Sequence, residues 1–402
     1  MSFNEPIQVL YDHQIFELQR YGGVSRYFFE IISRFIKERR LNPSIAVSIS
    51  SNNFLNQIDP KFVKPGVIDP YRITRPTQPD PYSDLLLKFK KNFNNLLDNR
   101  KINLISEKNT KNTIQILQNG NYDIFHPTYF NPYFIPFLNK KPFIITIYDL
   151  IHEKFPELYP LRDQTIHNRK MILHRADKII SISENTKKDI LNFYDIDPEK
   201  IEVIYLGNEH ISRNFTPNNI STNNFPHKFF LYVGDRTSYK NFYFLIEAIS
   251  PILRTNPYHL LCYGGGTLSD SELFFIEKLG IKNKVIHMSG EDDTLRLCYQ
   301  KAMALIYPSL YEGFGIPIIE ALHEKCPVIA SNIPSSVEIA GDAAIFFDPK
   351  NPRSLQEAIL KIADDELYRM NIIKRGLERS KKFSWDITAE KTEKVYMSLI
   401  ES

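Results

Sequence analysis

The chain predicts an α/β protein built from two doubly wound, Rossmann-like domains. Three observations predict it: short branched apolar runs alternate with helical patterns, the alternation restarts after a polar, Asn-rich interval at 211–227, and 402 residues exceed the roughly 100–200 that one domain usually holds.

The first half carries IQVLYD (7–12), SIAVSIS (44–50), YDIFHP (122–127), PFIITIYD (142–149), DKIISIS (177–183) and IEVIYLG (201–207), whose length and branching suit buried parallel strands. Between them, 23–40 repeats apolar residues at helical spacing and ends in a basic cluster suited to a helix C-terminus, and Ser183 is placed to cap the helix ENTKKDILNFY. The second half repeats the scheme with KFFLYVGD (228–235), HLLCYGGG (259–266), KVIHMSG (284–290), MALIYPS (303–309), CPVIAS (326–331) and AAIFFD (343–348). A first domain over 1–210, a linker over 211–227, a second domain over 228–384 and a final helix over 385–402 that crosses back to the first domain are therefore expected.

Segment 60–112 fits this scheme least. Its basic amphipathic part, DLLLKFKKNFNNLLDNRK (84–101), reads either as a helix packed on its own domain or as a peripheral membrane contact, since such helices can lie on anionic lipid.

An apolar fraction of 43%, a charged fraction of 24% and a formal charge of +3 describe an ordinary globular protein and give no basic stripe for nucleic acid. Cys262, Cys298 and Cys326 sit in apolar stretches without metal-ligand spacing, so buried thiols in a reducing cytoplasm are expected. The opening MSFNEPIQVLYDHQIF has no basic region leading into an apolar core, and no run of about 18 apolar residues follows. The acidic triplet Glu291, Asp292 and Asp293 is expected in the first turn of a helix, and no metal site is assigned.

The most informative stretch is SLYEGFGIPIIEALHEKCPVIAS (309–331). A buried strand ends, a glycine-bearing loop follows, Pro317 opens a helix, and another buried strand begins. Gly313 and Gly315 bare the backbone so that N–H groups along Gly313, Phe314, Gly315 and Ile316 can approach an anion, and the helix adds its positive end. Glu320 is expected in the first helical turn, within reach of a ribose diol, while Glu312 on the loop faces a sugar.

Glu312 and Glu320, within EGFGIPIIEAL, reproduce the E-x7-E signature of glycosyltransferase family 4, and the chain resembles that family along nearly its whole length. The resemblance implies the GT-B fold, two Rossmann-like domains facing across a cleft, and a retaining, metal-independent transfer from a nucleotide-sugar. It implies donor contacts from Gly22 and Gly23 after the first strand, from Arg236 and Lys240 in VGDRTSYKN, and from Glu312 to Ile316 and Glu320. Gly264 and Gly265 in YGGGTLSDSE border the nucleotide on this reading, although the G-x-G-x-x-G spacing of a dinucleotide loop is missing.

Acceptor contacts are assigned to His126, Tyr129, Asp149 and His152, at strand ends on the edge where ligands of open sheets collect. Where many relatives have His before that aspartate, this chain has Tyr148. Arg26 either reaches the cleft or makes a surface salt bridge. Bacterial polysaccharide mannosyltransferases have segments like YDHQIF, GGVSRYFF and HPTYFNPYF, which favours GDP-mannose as donor and a glycan or lipid-linked acceptor in surface polysaccharide or lipopolysaccharide synthesis. UDP-glucose or UDP-N-acetylglucosamine as donor, a related epimerase or phosphorylase, and a non-catalytic glycan-binding scaffold are the alternatives.

Overall fold

A computed structural model describes residues 6–39, 41–68, 86–208, 225–236 and 238–401, with the side chains of 65–68 and 86–102 outside that description. Strands β1 (Ile7–Tyr11), β2 (Leu41–Ile49), β3 (Val63–Ile68) and β4 (Ile124–His126) form a parallel sheet in the order β3-β2-β1-β4. A parallel bridge from Phe125 to Phe143 joins it to β5 (Ile144–Ile147), β6 (Lys178–Ser181) and β7 (Ile201–Val203), which lie in sequence order. The second domain has one parallel sheet of β8 (Phe229–Val233), β9 (His259–Tyr263), β10 (Val285–Met288), β11 (Ala304–Tyr307), β12 (Val328–Ser331) and β13 (Ala344–Phe347). Its order, β10-β9-β8-β11-β12-β13, reverses direction between β8 and β11, and a crevice opens at such a switch point.

The first domain carries α1 (Gln14–Leu18), α2 (Gly23–Glu38), α3 (Leu86–Asn119), α4 (Ile151–Lys154), α5 (Thr165–Arg175) and α6 (Glu184–Phe193). The second carries α7 (Phe242–Thr255), α8 (Asp270–Lys278), α9 (Asp292–Lys301), α10 (Ile316–His323), α11 (Pro334–Ala340), α12 (Pro352–Asp364) and α13 (Glu366–Ser380). Ser183 caps α6 by accepting from the Thr186 backbone, and all three cysteines are buried free thiols.

One strand escaped the sequence pattern. β3 contains Pro65 and Gly66, which argue against a central strand, and it lies at the sheet edge, where a missing N–H donor is tolerated. Two other expectations, the interval at 211–227 and the lipid-facing stretch at 84–101, fall mainly or wholly outside the described residues or side chains. Among the described residues no helix is long and apolar enough to cross a membrane.

The final helix, α14 (Trp385–Glu401), packs back on α2. Trp385 and Tyr396 are fully buried, and the Tyr396 hydroxyl joins the Tyr11 hydroxyl at 2.8 Å and His126 Nδ1 at 2.7 Å. This ties the end of the chain to the carboxyl ends of β1 and β4. Tyr396→Phe strips two buried polar groups of a partner and is expected to lower unfolding free energy by about 1–3 kcal/mol in urea denaturation; an unchanged midpoint would contradict this packing.

Candidate active site

β11 leaves the core at Tyr307, and the chain turns through Gly315 at φ 120°, a conformation L side chains rarely adopt, before α10 begins. On this loop Glu312 is 8% exposed, and its Oε1 lies 2.7 Å from Lys240 Nζ, carried by the turn after β8. Burial disfavours the Lys240 ammonium, but Glu312, by charge and hydrogen bond, together with Tyr239 and Asp235, outweighs it and holds Lys240 above its ordinary range. The site therefore contains a half-buried lysine held in its charged form beside a buried carboxylate.

Glu320 is the fifth residue of α10, one turn deeper than expected, so its compensation comes from side chains rather than from the helix end. Arg26 Nη1 of α2 lies 3.2 Å from Glu320 Oε1, and the Tyr299 hydroxyl donates to Oε2 at 3.0 Å. Burial raises the Glu320 pKa, and Arg26 and Tyr299 oppose that rise. Arg26 is thus a cross-domain partner rather than a surface residue. Nearby, a Cβ on Gly23 would come within 3.4 Å of Ile316 Cδ1, so the N-terminal ends of α2 and α10 face each other. Tyr21 adds a hydrogen bond from just before α2 to Asp292, in the first turn of α9.

Gly313 does something the sequence did not suggest. A Cβ there would sit 1.7 Å from the Tyr148 carbonyl oxygen, so glycine is required for the first domain's backbone to approach, and its own carbonyl accepts from Ser183 Oγ at 2.6 Å and Thr186 Oγ1 at 3.1 Å. Beside it the Tyr311 hydroxyl donates to Asp189 Oδ2 at 2.8 Å and accepts from the Leu150 backbone at 3.1 Å. Glu338 of α11 accepts from the backbones of Glu184 and Asn185 at 2.7 and 2.9 Å, placing a carboxylate at the positive end of α6. Phe314 is buried, with its ring 6.1 Å from Tyr205 and 5.8 Å from Phe383, and anchors the loop instead of lining an open surface.

Asp149, Tyr129 and His152 are brought together after β4 and β5. Asp149 accepts from the Ile151 backbone at 3.1 Å, and its charge adds to burial in raising the Tyr129 phenol. His152 stacks on Tyr159 at 3.7 Å and approaches Asp163 at 3.6 Å; burial, then Arg169, lower its pKa. The Tyr148 ring packs edge-on against Tyr27 in the core.

One expected contact needs correction. His126 is completely buried, with Nδ1 on Tyr396 and Nε2 3.0 Å from Thr146 Oγ1, so it braces α14 and does not face an acceptor. Arg236 is engaged by the polypeptide: Nε lies 2.7 Å from Glu272, and its other nitrogens donate to the carbonyls of Gly264, Gly265, Gly266 and Thr267 at 2.9–3.1 Å. Its guanidinium and the Gly264–Gly265 backbone thus form one clipped loop, and the charge nearest the E-x7-E loop is Lys240.

With this geometry in place, the chain can be compared with known proteins. The Glycosyltransferase Family 4 family matches residues 21–209, and the Glycosyl transferases group 1 family matches residues 217–379. The chain is a GT-B glycosyltransferase of the group 1 and family 4 superfamily. O-antigen chain mannosyltransferase B of Escherichia coli is 27% identical to this transferase over 64% of its chain and 70% of the relative. O-antigen chain mannosyltransferase RfbU of Salmonella typhimurium is 30% identical over 59% and 65%. Among solved structures, Anabaena HepE in complex with UDP and glucose superposes with a TM-score of 0.71 at 15% identity, over 98% of this chain and 100% of that one, a likeness of fold.

In the transferase, the residues that sequence reasoning missed are those that close the cleft: Tyr311, Ser183, Thr186 and Glu338. Their partners lie far away in the chain, so no local pattern marks them. His126 offers a check on the corrected placement. Burial lowers its pKa to about 3 from an ordinary 6.5, so the unfolded chain binds more protons between those values. Its contribution to stability is complete above about pH 6.5 and is lost as pH falls toward 3, by up to about 1.4 kcal/mol per pH unit. Denaturation at pH 7.5, 6 and 5 is expected to show a shallower loss for His126→Gln than for the parent, whereas equal slopes would place His126 in contact with water.

Proposed function

We propose that this GT-B transferase moves a hexose, mannose from GDP-mannose, onto a hydroxyl of a growing glycan with retention at the anomeric carbon and without a metal ion. The observation that carries the reading is the pairing of Lys240 with Glu312 beside the turn into α10, close to Glu320. A diphosphate leaving group needs fixed positive charge in a site shielded from water, and Lys240 supplies it. In this reading the diphosphate lies between the facing ends of α2, with Gly22 and Gly23, and α10, with Gly315 and Ile316. Glu320 takes the ribose hydroxyls, and Glu312 turns to the sugar. Arg236 contributes by holding the Gly264–Gly265 loop in shape beside the nucleotide.

The acceptor enters over Asp149, Tyr129 and His152. As the bond from the sugar carbon to the diphosphate oxygen breaks, the acceptor oxygen bonds to the same face of that carbon, and its proton passes to the departing phosphate oxygen. No protein nucleophile is required. The two O-antigen chain mannosyltransferases favour mannose as the sugar and a surface glycan as the acceptor. The HepE complex with UDP and glucose favours a second reading with a UDP-sugar donor.

A thermal-shift screen of nucleoside diphosphates separates these readings, because a ligand that binds only the folded state raises its melting temperature. GDP is expected to give the largest rise; a larger rise with UDP selects the second reading, and none with any base contradicts both. Lys240→Ala and Glu320→Ala are each expected to lower transfer at subsaturating donor by about 10²- to 10³-fold. Near-parental rates in a folded variant would remove these residues from the site.

A further inference from the structure

Between α1, α3 and α5 the first domain is indented by a half-open cavity of about 220 Å³. Its walls include His13, Glu17, Thr110, Tyr129, Tyr133 and Asn168. It opens just beyond the carboxyl ends of β1 and β4, and Tyr129 belongs both to its wall and to the Asp149 cluster, so it adjoins the region where the acceptor enters.

Its chemistry narrows the ligand. The lining residues are amides, hydroxyls, phenols and ring faces, with one carboxylate, Glu17, and with no lysine or arginine among them. His13 adds no cation at neutral pH, because burial, opposed by Asp12 and Glu17, lowers its pKa. The nearby Arg169 lies over the Phe130 ring and is paired with Glu153, so among the described lining residues a phosphate or a nucleotide meets no cation and a carboxylate that repels it. A sugar ring suits both kinds of wall, with C–H faces for the tyrosine rings and hydroxyls for the amides and Glu17. The volume lies below the roughly 300–1,000 Å³ of sites for drug-sized ligands, which limits the occupant to one ring.

The walls are also held in advance. Asp12, fully buried, accepts from the Thr128 backbone at 2.8 Å, Thr128 Oγ1 at 2.6 Å, Gln14 Nε2 at 2.7 Å and the Tyr133 hydroxyl at 3.0 Å. Gln14 then exchanges hydrogen bonds with the Asn131 backbone at 3.2 and 2.7 Å, and His13 Nδ1 meets Thr113 Oγ1 at 2.9 Å. A binding group fixed by such a network loses little freedom when a ligand arrives.

We propose that this cavity is a subsite for one neutral hexose unit of the acceptor glycan. The word acceptor rests on the transferase reading above, whereas the preference for a neutral, hydroxyl-rich ring rests on the cavity alone. Occupancy here selects acceptors by a sugar that does not itself react, and Tyr129 couples that sugar to the one that does.

Saturation-transfer NMR with the methyl glycosides of mannose, glucose and galactose tests the proposal on the full chain. The parent is expected to transfer saturation to at least one glycoside, with no competition from millimolar inorganic phosphate. Asn168→Phe fills the cavity and is expected to abolish that signal and to raise the acceptor KM at least tenfold, while nucleoside diphosphate affinity by calorimetry stays within twofold. Asn168→Ala, which removes the amide without adding bulk, is expected to weaken glycoside binding at least fivefold and serves if the larger side chain prevents folding. Equal glycoside signals in parent and variants, or silence in a parent that binds a nucleoside diphosphate, would overturn the proposal. Glycoside binding by a parent that takes no nucleoside diphosphate would instead overturn the transferase reading and leave the sugar cavity standing.

Discussion

Two ion pairs in one cleft, each with at least one buried partner, constrain this molecule more than any other feature: Lys240 with Glu312, and Arg26 with Glu320. Each buried charge would cost several kcal/mol if left unpaired away from water, so the elements that carry them must meet. The turn after β8 must reach the loop after β11, and α2 of the first domain must reach α10 of the second. Of the two pairs, Arg26 with Glu320 ties the first domain to the second, while Lys240 with Glu312 fixes two loops of the second domain against each other. On the proposed reading a donor enters by exchange of partners, its diphosphate replacing carboxylates beside the cations and its ribose replacing Arg26 beside Glu320. That exchange passes the cations to the diphosphate and leaves the two carboxylates hydrogen-bonded to neutral hydroxyls.

The closure that brings these groups together is made by uncharged and backbone contacts as much as by ions. Gly313 lets the Tyr148 backbone approach, Ser183 and Thr186 bind its carbonyl, and Tyr311 bridges Asp189 and the backbone at Leu150. Behind them α14 crosses to the first domain and fixes His126, Tyr11 and Tyr396 in one buried network, so the edge of the first sheet is rigid beneath Tyr129 and Asp149. The site thus combines stiff walls with one seam between domains.

Much of the fold was legible because it rests on local periodicity. Twelve apolar runs became strands, and the cap at Ser183 and the crossing helix at Trp385 follow from residue types at their positions. β3 was not legible, because Pro65 and Gly66 contradict strand chemistry and only the edge position tolerates them. At the site, the spacing of Glu312 and Glu320 marked the loop and helix correctly, since both lie within one short unit. His126 misled for the opposite reason, its partner Tyr396 lying 270 residues away, and the partners of Arg236, 28 or more residues away, were no more legible. A strand end shows where a side chain starts, but not which distant helix covers it.

The most direct measurement is a crystal structure of the protein with a bound nucleoside diphosphate. The account predicts the diphosphate within hydrogen-bond reach of Lys240, the ribose hydroxyls on Glu320, and Arg26 released from that carboxylate. A nucleotide bound elsewhere with both ion pairs intact would contradict it.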